Sequence, residues 1–385
     1  MMYDFFMPNV NFLGNGTVAV VGERAAILGG KKALIVTDSF LRNLEDGPVE
    51  RVVKSLKEAN IEVAYFDEVE PNPKDYNIND GLKVYKENNC DLIVTVGGGS
   101  AHDCGKGIGI AATHEGDLYE NYAGIETLEN PLPPIIAVNT TAGTGSEVTR
   151  HCVITHTEKK IKFVIVSWRN TPLVSINDPE LMLDKPAGLT AATGMDALTH
   201  AVESYISLGA NPVTDSMAIQ AIKLISDNLR QAVAYGHNKE ARENMAYASL
   251  LASMAFNNAG LGYVHAMAHQ LGGLYDIAHG VANAVLLPHV LEYNIISNID
   301  KFANMAEFLG ENISGLSKRD AADKAIAALK KLSEDINIPS NIQELGAKKE
   351  DFELMAELAL EDGNAISNPI QGKKENIIRI FEAAF

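Results

Sequence analysis

Hydrophobic residues in the first half of the chain follow two alternating spacings. Short β-branched runs that are typical of buried strands occupy residues 33–37, 61–66, 92–96 and 135–138. Between them, apolar residues recur at helical spacing, first at Val49, Val52, Val53 and Leu56, then at Ile78, Leu82 and Tyr85. Residues 153–176 are again rich in strand-forming residues. This alternation predicts an α/β N-terminal domain with a Rossmann-like parallel sheet covered by helices.

The second half of the chain has a different pattern. After Asp178-Pro179 the β-branched runs thin out, and alanine, leucine, methionine, glutamate and lysine dominate. Helical spacing predicts buried helices around residues 213–225 and 246–256, and Ser317 with Asp320 predicts the capping box of another helix. We therefore expect two domains, the α/β domain over residues 1–180 and an all-α C-terminal domain over residues 181–385.

Charge and composition narrow the class of partners. The 50 acidic residues exceed the 32 lysines and arginines, which gives a formal net charge of -18. An acidic surface repels nucleic-acid backbones and anionic lipid headgroups, so we expect neither nucleic acid nor membrane as a partner. The 3 cysteines form no C-x-x-C pair, and neither a signal peptide nor a membrane-spanning run is visible. We therefore expect a cytoplasmic protein.

The segment Val96-Gly97-Gly98-Gly99-Ser100 joins a predicted strand to a predicted helix. Glycines let a backbone approach a phosphate closely, and a helix N-terminus offers free N–H groups. The segment matches neither standard phosphate-binding pattern, because His102 replaces a glycine of G-x-G-x-x-G and Gly107 replaces the hydroxyl residue of a Walker A loop. The pattern favours a pyrophosphate-binding turn, and a merely tight strand-to-helix turn is the alternative.

Two other segments should lie at the same edge of the sheet, because each follows a predicted strand. Residues 139–146 offer hydroxyls and flexible backbone that would wrap a second part of a dinucleotide, or form only a polar surface loop. Asp38 ends the first of the predicted strands, where a carboxylate accepts hydrogen bonds from a ribose and repels a 2′-phosphate. Asp38 therefore favours NAD over NADP, although it would equally serve as the N-cap of the next helix.

A second group of chemically active residues lies in the helical half. Asp196 and His200 are four residues apart, so a helix projects both from one face, and His265 and His269 repeat this spacing. One carboxylate with several histidines suits Fe(II) or Zn(II), with one position open for substrate. The alternative is a set of structural histidines in an apolar core.

His265 and His279 are too far apart to share an ion on one continuous helix. We therefore expect the helix to break at Gly272-Gly273, after which His279 begins the next element and returns to the site. Ala266 after His265 excludes an H-E-x-x-H peptidase motif, and no G-x-S-x-G elbow supports a serine hydrolase. A metal site together with a nucleotide-binding turn favours hydride transfer between an alcohol or carbonyl compound and a nicotinamide.

These motifs closely resemble those of the iron-containing (group III) alcohol dehydrogenases. The resemblance spans essentially the whole chain and rests on Gly97-Gly98-Gly99-Ser100 with Asp103 and Lys106, Thr140-Thr141-Ala142-Gly143-Thr144 with Ser146-Glu147, Asp178-Pro179, Gly194-Met195-Asp196 to Glu203, and His265 to Gly280. It implies NAD-dependent, Fe(II)-assisted interconversion of 1,3-propanediol and 3-hydroxypropanal. Methanol, other short primary alcohols and lactaldehyde remain alternative substrates.

The resemblance also implies a role for each matching residue. Fe(II), with Zn(II) as the alternative, would be bound by Asp196, His200, His265 and His279. His269 would relay the alcohol proton. The NAD pyrophosphate would bind to Gly97, Gly98 and Ser100, and the same motif contains Gly99 and Asp103. The adenosine ribose would bind to Asp38, and the remaining cofactor contacts would be Thr140, Thr141, Thr144, Thr149 and Lys162.

The resemblance further implies a homo-oligomer, either a dimer or a larger ring such as a decamer. The chain departs from the family at Ile370, because relatives usually have arginine after the Asn-Pro pair. This departure puts a local packing or charge contact in doubt rather than the chemistry.

Two rival functions remain. A lyase related to dehydroquinate synthase would use NAD without net NADH formation, and a non-catalytic sensor would bind NAD or metal without turning over an alcohol.

Overall fold

The computed structural model describes residues 4–385, which pack as two compact units. The first unit holds the described residues up to Thr141 together with Gly145–Leu183. The second unit holds Ala142–Thr144 and Asp184–Phe385. A parallel sheet with helices forms in the first unit and only helices form in the long segment of the second, which confirms the predicted fold class.

The first unit contains the four strands predicted between residues 33 and 138, strands in the β-rich region 153–176, and two strands that were not predicted. They are β1 (Val10–Leu13), β2 (Lys32–Val36), β3 (Glu62–Phe66), β4 (Leu92–Gly97), β5 (Gly124–Ile125), β6 (Ile135–Asn139), β7 (His151–His156), β8 (Ile161–Val166) and β9 (Val174–Asn177). The helices of this unit are α1 (Val21–Ile27), α2 (Ser39–Arg42), α3 (Pro48–Glu58), α4 (Asp75–Glu87), α5 (Gly99–Thr113) and α6 (Leu118–Tyr122).

Within the described residues, six parallel strands form one sheet in the order β1-β9-β6-β4-β2-β3. Successive residues of a strand face opposite sides, and both sides are covered here. Ile35 of β2 belongs to the core that includes α3, whereas its neighbour Leu34 belongs to the core that includes α4 and α5. Because both faces are buried, the strands are continuous apolar runs rather than alternating ones.

The register of this sheet brings three strand ends together. Val36 of β2 pairs with Thr95 of β4, and Gly97 of β4 pairs with Asn139 of β6. The carboxyl ends of β2, β4 and β6 therefore lie side by side, as the sequence predicts. A second sheet in the described part of the chain has the order β5-β8-β7, with β7 antiparallel to β8.

The helices of the second unit are α7 (Ala187–Ile206), α8 (Pro212–Ala234), α9 (Lys239–Ala259), α10 (Tyr263–Tyr275), α11 (His279–Asn294), α12 (Ile299–Phe308), α13 (Lys318–Asp335), α14 (Phe352–Glu361) and α15 (Lys374–Ala383). Most residues of α7 are buried, which places it at the centre of the helical core. The hydroxyl of Ser317 accepts a hydrogen bond from the Asp320 backbone N–H, which confirms Ser317 as the cap of α13, while the Asp320 carboxylate accepts from that same hydroxyl instead of completing the predicted capping box. None of the helices in residues 4–385 combines the length and apolar character that a membrane span requires.

The predicted helix break at Gly272-Gly273 is wrong. Helix α10 continues through both glycines to Tyr275 and ends where Asp276 adopts a left-handed conformation with φ 53°. Glycine weakens a helix only modestly, and Leu271 and Gly272 are both buried, so packing in the core holds this turn in helical conformation. The chain nevertheless reverses as expected, because α11 begins at His279.

Candidate metal and nucleotide sites

Three of the predicted metal ligands meet within the helical unit. Asp196 lies in the middle of α7, His265 in the first turn of α10, and His279 is the first residue of α11. The Nε2 atoms of His265 and His279 are 3.9 Å and 3.6 Å from Oδ1 of Asp196, and all three ligand atoms lie within 4.8 Å of one another. One carboxylate oxygen and two imidazole nitrogens form a donor set that fits Fe(II) or Zn(II).

Gly280 allows α11 to approach α7 at this point. A Cβ atom at position 280 would lie 2.2 Å from the carbonyl oxygen of Ala192 and 3.3 Å from Cβ of Asp196. Any larger residue would therefore push α11 away from α7. The absence of a side chain at Gly280 thus allows the close packing that places His279 beside Asp196.

His200 lies one helical turn after Asp196 and is buried beside the cluster. Its ring stacks on the ring of His265 at a centroid distance of 4.6 Å and on Phe256 at 4.3 Å. Burial lowers the pKa values of His200 and His265 to about 4. Both imidazoles are therefore neutral at neutral pH, as metal ligation requires. The role of His200 as the fourth ligand stays a prediction.

Glu203 fixes the orientation of His265. Its Oε2 atom accepts a hydrogen bond from Nδ1 of His265 at 2.6 Å, and its Oε1 atom accepts one from the Val264 backbone N–H at 2.7 Å. Because Nδ1 carries the proton in this pair, Nε2 keeps its lone pair on the side of Asp196. Burial raises the pKa of Glu203 to about 7, although the surrounding backbone N–H groups oppose this shift. Glu203 ends one of the motifs recognised in the sequence, but no local pattern predicted this contact with His265.

Asn283, which is not among the residues predicted from the sequence, lies among the three ligand atoms. Its Nδ2 atom is 2.7 Å from Oδ1 of Asp196, 3.1 Å from Nε2 of His265 and 3.2 Å from Nε2 of His279. Asn283 follows His279 by four residues on α11, so helical spacing was a signal that pointed to it. An amide at this position contacts every member of the cluster at once.

His269, the predicted proton relay, lies one turn after His265 on α10. Its ring stacks beside that of His279 with a centroid distance of 5.4 Å. Its Nδ1 atom is 2.7 Å from Oδ2 of Asp362, a carboxylate that no sequence spacing connects to it. The predicted relay therefore lies next to the metal-ligand cluster.

The glycine turn lies at the carboxyl end of β4. Gly97 has a φ of 156°, and a Cβ atom there would lie 2.7 Å from Cβ of Ala101. A Cβ atom on Gly98 would lie 2.8 Å from Oγ1 of Thr141. Helix α5 begins at Gly99 without a side-chain cap, so the N–H groups of its first turn, where Ser100 lies, face an uncapped end. An uncapped helix N-terminus with this little space for a Cβ atom suits an anion, so the phosphate-binding role stays a prediction.

Asp103 belongs to a buried network that joins α5 to the segment after residue 145. Its Oδ1 atom accepts a hydrogen bond from Oγ of Ser146 at 2.6 Å, and Oδ2 accepts one from the Val153 backbone N–H. Lys106, fully buried, donates to Oγ of Ser146 at 2.8 Å and to the carbonyl oxygen of Thr149 at 3.0 Å. Asp103 and the carbonyl group of Thr149 thus take part in the hydrogen bonds that hold α5 against the segment after residue 145.

The other residues predicted to contact the cofactor are Asp38, Thr140, Thr141, Thr144 and Lys162, and they differ in their hydrogen-bond partners and surroundings. Asp38 follows β2, and its Oδ1 atom caps α2 by accepting from the Leu41 backbone N–H at 2.8 Å. Thr140 follows β6, and its buried Oγ1 atom has no hydrogen-bond partner among the described residues. Thr144 packs in the second unit, and Nζ of Lys162 donates to Oδ1 of Asn72 at 2.8 Å. The strand register therefore brings Asp38, the glycine turn and Thr140 to one edge.

Ile370, where the chain departs from the family, takes part in a backbone contact. The Nδ2 atom of Asn368 donates to the carbonyl oxygen of Ile370 at 2.8 Å, and its Oδ1 atom accepts from the Tyr263 backbone N–H. This bond uses the main chain of residue 370, so it does not depend on the side chain there.

The chain is similar to known enzymes over its whole length. Residues 8–179 match the iron-containing alcohol dehydrogenase family model, and residues 190–385 match the model of the C-terminal part of the Fe-containing alcohol dehydrogenase family. The chain is 70% identical to 1,3-propanediol dehydrogenase of Klebsiella pneumoniae, covering 100% of this chain and 99% of the relative. It is 48% identical to NAD-dependent methanol dehydrogenase of Bacillus methanolicus, covering 100% of both.

Solved structures agree with this similarity. The structure superimposes on a crystal structure of 1,3-propanediol oxidoreductase with a TM-score of 0.97, at 70% sequence identity and covering 100% of both chains. An alcohol dehydrogenase from Oenococcus oeni gives the same TM-score of 0.97 at 60% identity, again covering 100% of both chains. The chain therefore belongs to the iron-containing alcohol dehydrogenase family.

Proposed function

We propose that this alcohol dehydrogenase interconverts 1,3-propanediol and 3-hydroxypropanal with NAD(H) and Fe(II). One observation carries the proposal, namely the 70% identity over essentially the full length with an enzyme named for this diol. The metal-ligand cluster and the glycine turn supply the two kinds of site that such a reaction needs.

The residues present fit a divalent metal. The donor atoms of Asp196, His265 and His279 converge, and burial keeps His265 neutral. With His200, which stacks on His265, they would make the N₃O set predicted from the sequence. We assign Fe(II) to this set because of the family, with Zn(II) as the alternative.

The residues present also fit a dinucleotide. A Cβ atom on Gly97 or Gly98 would fill space at the uncapped start of α5, where the pyrophosphate would bind with Gly99 and Ser100. Thr140 offers a buried hydroxyl without an internal partner at the next strand end, and we assign Thr141, Thr144, Thr149 and Lys162 with it to the remaining contacts. Asp38 would bind the adenosine ribose through the carboxylate oxygen that does not cap α2.

When bound, the metal polarises the substrate oxygen and the nicotinamide exchanges a hydride with the neighbouring carbon. The chain's own residues hold these groups and handle the proton. His269 would receive the hydroxyl proton at Nε2 during alcohol oxidation and return it during aldehyde reduction. Glu203 keeps Nε2 of His265 directed at the metal position.

The decisive experiment measures NADH formation by the Fe(II)-loaded protein, purified without oxygen. 1,3-Propanediol, methanol, 1,2-propanediol and butanol are offered in parallel. We expect metal-dependent NADH formation with the highest kcat/KM for 1,3-propanediol. A higher value for methanol or 1,2-propanediol would replace the proposed substrate. No NADH change in either direction, with NAD still bound, would instead support the lyase or the sensor.

We also propose that the chain forms a homo-oligomer. Strand β1 is an edge strand of the larger sheet, and Val10 and Leu13 on it are 38% and 42% exposed. An open edge with exposed apolar side chains favours pairing with a second copy. Light scattering after gel filtration would distinguish a monomer from a dimer or a decamer.

We expect the enzyme in the cytoplasm, since Cys90, Cys104 and Cys152 are all free and buried.

A further inference from the structure

His269 and Asp362 form a hydrogen-bonded pair beside the metal-ligand cluster. The Nδ1 atom of His269 on α10 lies 2.7 Å from Oδ2 of Asp362, which directly follows α14. Both side chains are only 14% exposed. A short bond with little access to water holds a ring more rigidly than a solvated contact does.

The carboxylate of Asp362 is itself fixed by other bonds. Its Oδ1 atom accepts hydrogen bonds from the backbone N–H and from Nδ2 of Asn364, both at 2.9 Å. These two donors determine the plane of the carboxylate and direct Oδ2 at the imidazole. Burial raises the pKa of Asp362, but the His269 ring and the hydrogen bonds outweigh burial and hold that pKa below its ordinary value. The carboxylate is therefore an anionic acceptor at neutral pH.

We propose that Asp362 is a positioning residue for His269, fixing its ring orientation and keeping a proton on Nδ1 so that Nε2 has a free electron pair. The proposal rests on the proposed function for its catalytic meaning. During alcohol oxidation the O–H bond breaks, and its electron pair stays on the substrate oxygen and forms the second C–O bond of the aldehyde as the hydride leaves. The proton moves to Nε2 of His269, while the hydride of the neighbouring C–H bond is transferred to NAD. The products are the aldehyde, NADH and a proton.

Asp362→Asn tests this role because the geometry predicts how the amide will orient. The two donors of Asn364 would retain the amide oxygen, so the NH₂ group would face Nδ1 of His269. Nδ1 would then have to accept a hydrogen bond, and the proton would move to Nε2. The histidine would be present and correctly placed but unable to take the alcohol proton.

A matched control is available at the opposite end of α14. Asp351 precedes α14 and accepts a hydrogen bond from the hydroxyl of Tyr275, which is also on α10. Asp351→Asn therefore changes a carboxylate that joins the same two helices away from His269. We expect kcat to stay within about twofold of the wild type in this variant.

The first measurement compares kcat, KM, metal content and thermal stability of the full-length, Fe(II)-loaded proteins. We expect Asp362→Asn to lower kcat about 10- to 100-fold while KM and metal content stay unchanged. Asp362→Glu, which keeps an anionic acceptor, should recover part of the loss. A kcat near that of the wild type in Asp362→Asn would overturn the proposal. So would a joint loss of metal and thermal stability that the glutamate does not reverse.

The second measurement does not require turnover. Diethyl pyrocarbonate acylates an imidazole nitrogen that has a free electron pair, and peptide mass spectrometry reports its rate at His269. We expect this rate to be several-fold lower in Asp362→Asn than in Asp351→Asn. Equal rates would overturn the assigned tautomer. If the wild type forms no NADH from any alcohol, the proposed function fails, and this rate still decides the relationship between Asp362 and His269.

Discussion

The Nδ1 atom of His265 lies 2.6 Å from Oε2 of Glu203, and both side chains are only 2% exposed. This pair directs Nε2 of His265 at the position where Asp196 and His279 converge. A second histidine, His269, has the same kind of carboxylate partner in Asp362. In the proposed function, one buried carboxylate would thus orient a metal ligand and the other would orient the proton relay.

Glu203→Gln should weaken metal binding about 10- to 100-fold, because a glutamine cannot accept both from Nδ1 of His265 and from the Val264 backbone N–H. Competition with a chelator of known affinity measures the effect. Glu292→Gln is the control, since Glu292 lies on the exposed surface of α11 and pairs with Lys330. Equal metal affinities in the two variants would contradict this role of Glu203.

His265→Ala should abolish metal retention and alcohol turnover together, because the cluster loses one of its converging donors. Metal analysis by mass spectrometry and the NADH assay on the same preparation test the coupling. His289→Ala is the control, because His289 is a half-buried residue of α11 outside the metal-ligand cluster. Full activity with metal still bound in His265→Ala would remove His265 from the ligand set.

Asp38→Gly should improve the use of NADP relative to NAD, since a 2′-phosphate no longer meets a carboxylate at the end of β2. Loss of the cap on α2 should cost only a few tenths of a kcal/mol with glycine. Asp38→Asn separates the two effects, because it keeps a capping oxygen and removes only the charge. Kinetics with both cofactors measure the preference. An unchanged preference in both variants would leave Asp38 with the capping role alone.

Gly98→Ala should raise the KM for NAD at least about tenfold, because the new Cβ atom would lie 2.8 Å from Oγ1 of Thr141 and displace the turn. The matched control is Gly188→Ala, where nothing lies within 4 Å and the residue is in the first turn of α7. That control should leave the KM for NAD unchanged. Isothermal titration with NAD checks whether binding itself is weakened, and unaltered binding in Gly98→Ala would rule out a phosphate-binding turn.

Glu147 should make the stability of the first unit depend on pH. Burial raises its pKa to about 7, so the folded state binds more protons than the unfolded state between the ordinary carboxyl range and pH 7. The free energy of unfolding therefore falls as pH rises through this window, by about 3 kcal/mol at most. Urea unfolding of the wild type and of Glu147→Gln across this window tests the effect. Parallel pH profiles of the two proteins would show that Glu147 does not titrate in this way.

The sequence by itself determined the fold class of both halves and the positions of several of their elements. Strands such as β2 and helices such as α3 were predictable because their signals are local, namely apolar periodicity and a capping or proline residue within a few positions. The residue pairs Asp196/His200 and His265/His269 were recognisable for the same reason, since helical spacing is also local.

Only the tertiary structure decided which of these residues meet. Helix α10 runs through Gly272 because burial in the core outweighs the weak helix propensity of glycine, and it ends at Asp276 instead. The bond between Asp362 and His269 joins residues 93 positions apart, and no periodic pattern encodes such a distance. Long-range contacts depend on how helices pack in three dimensions, so the orientation of both histidines becomes visible only once α7, α10, α11 and α14 are assembled.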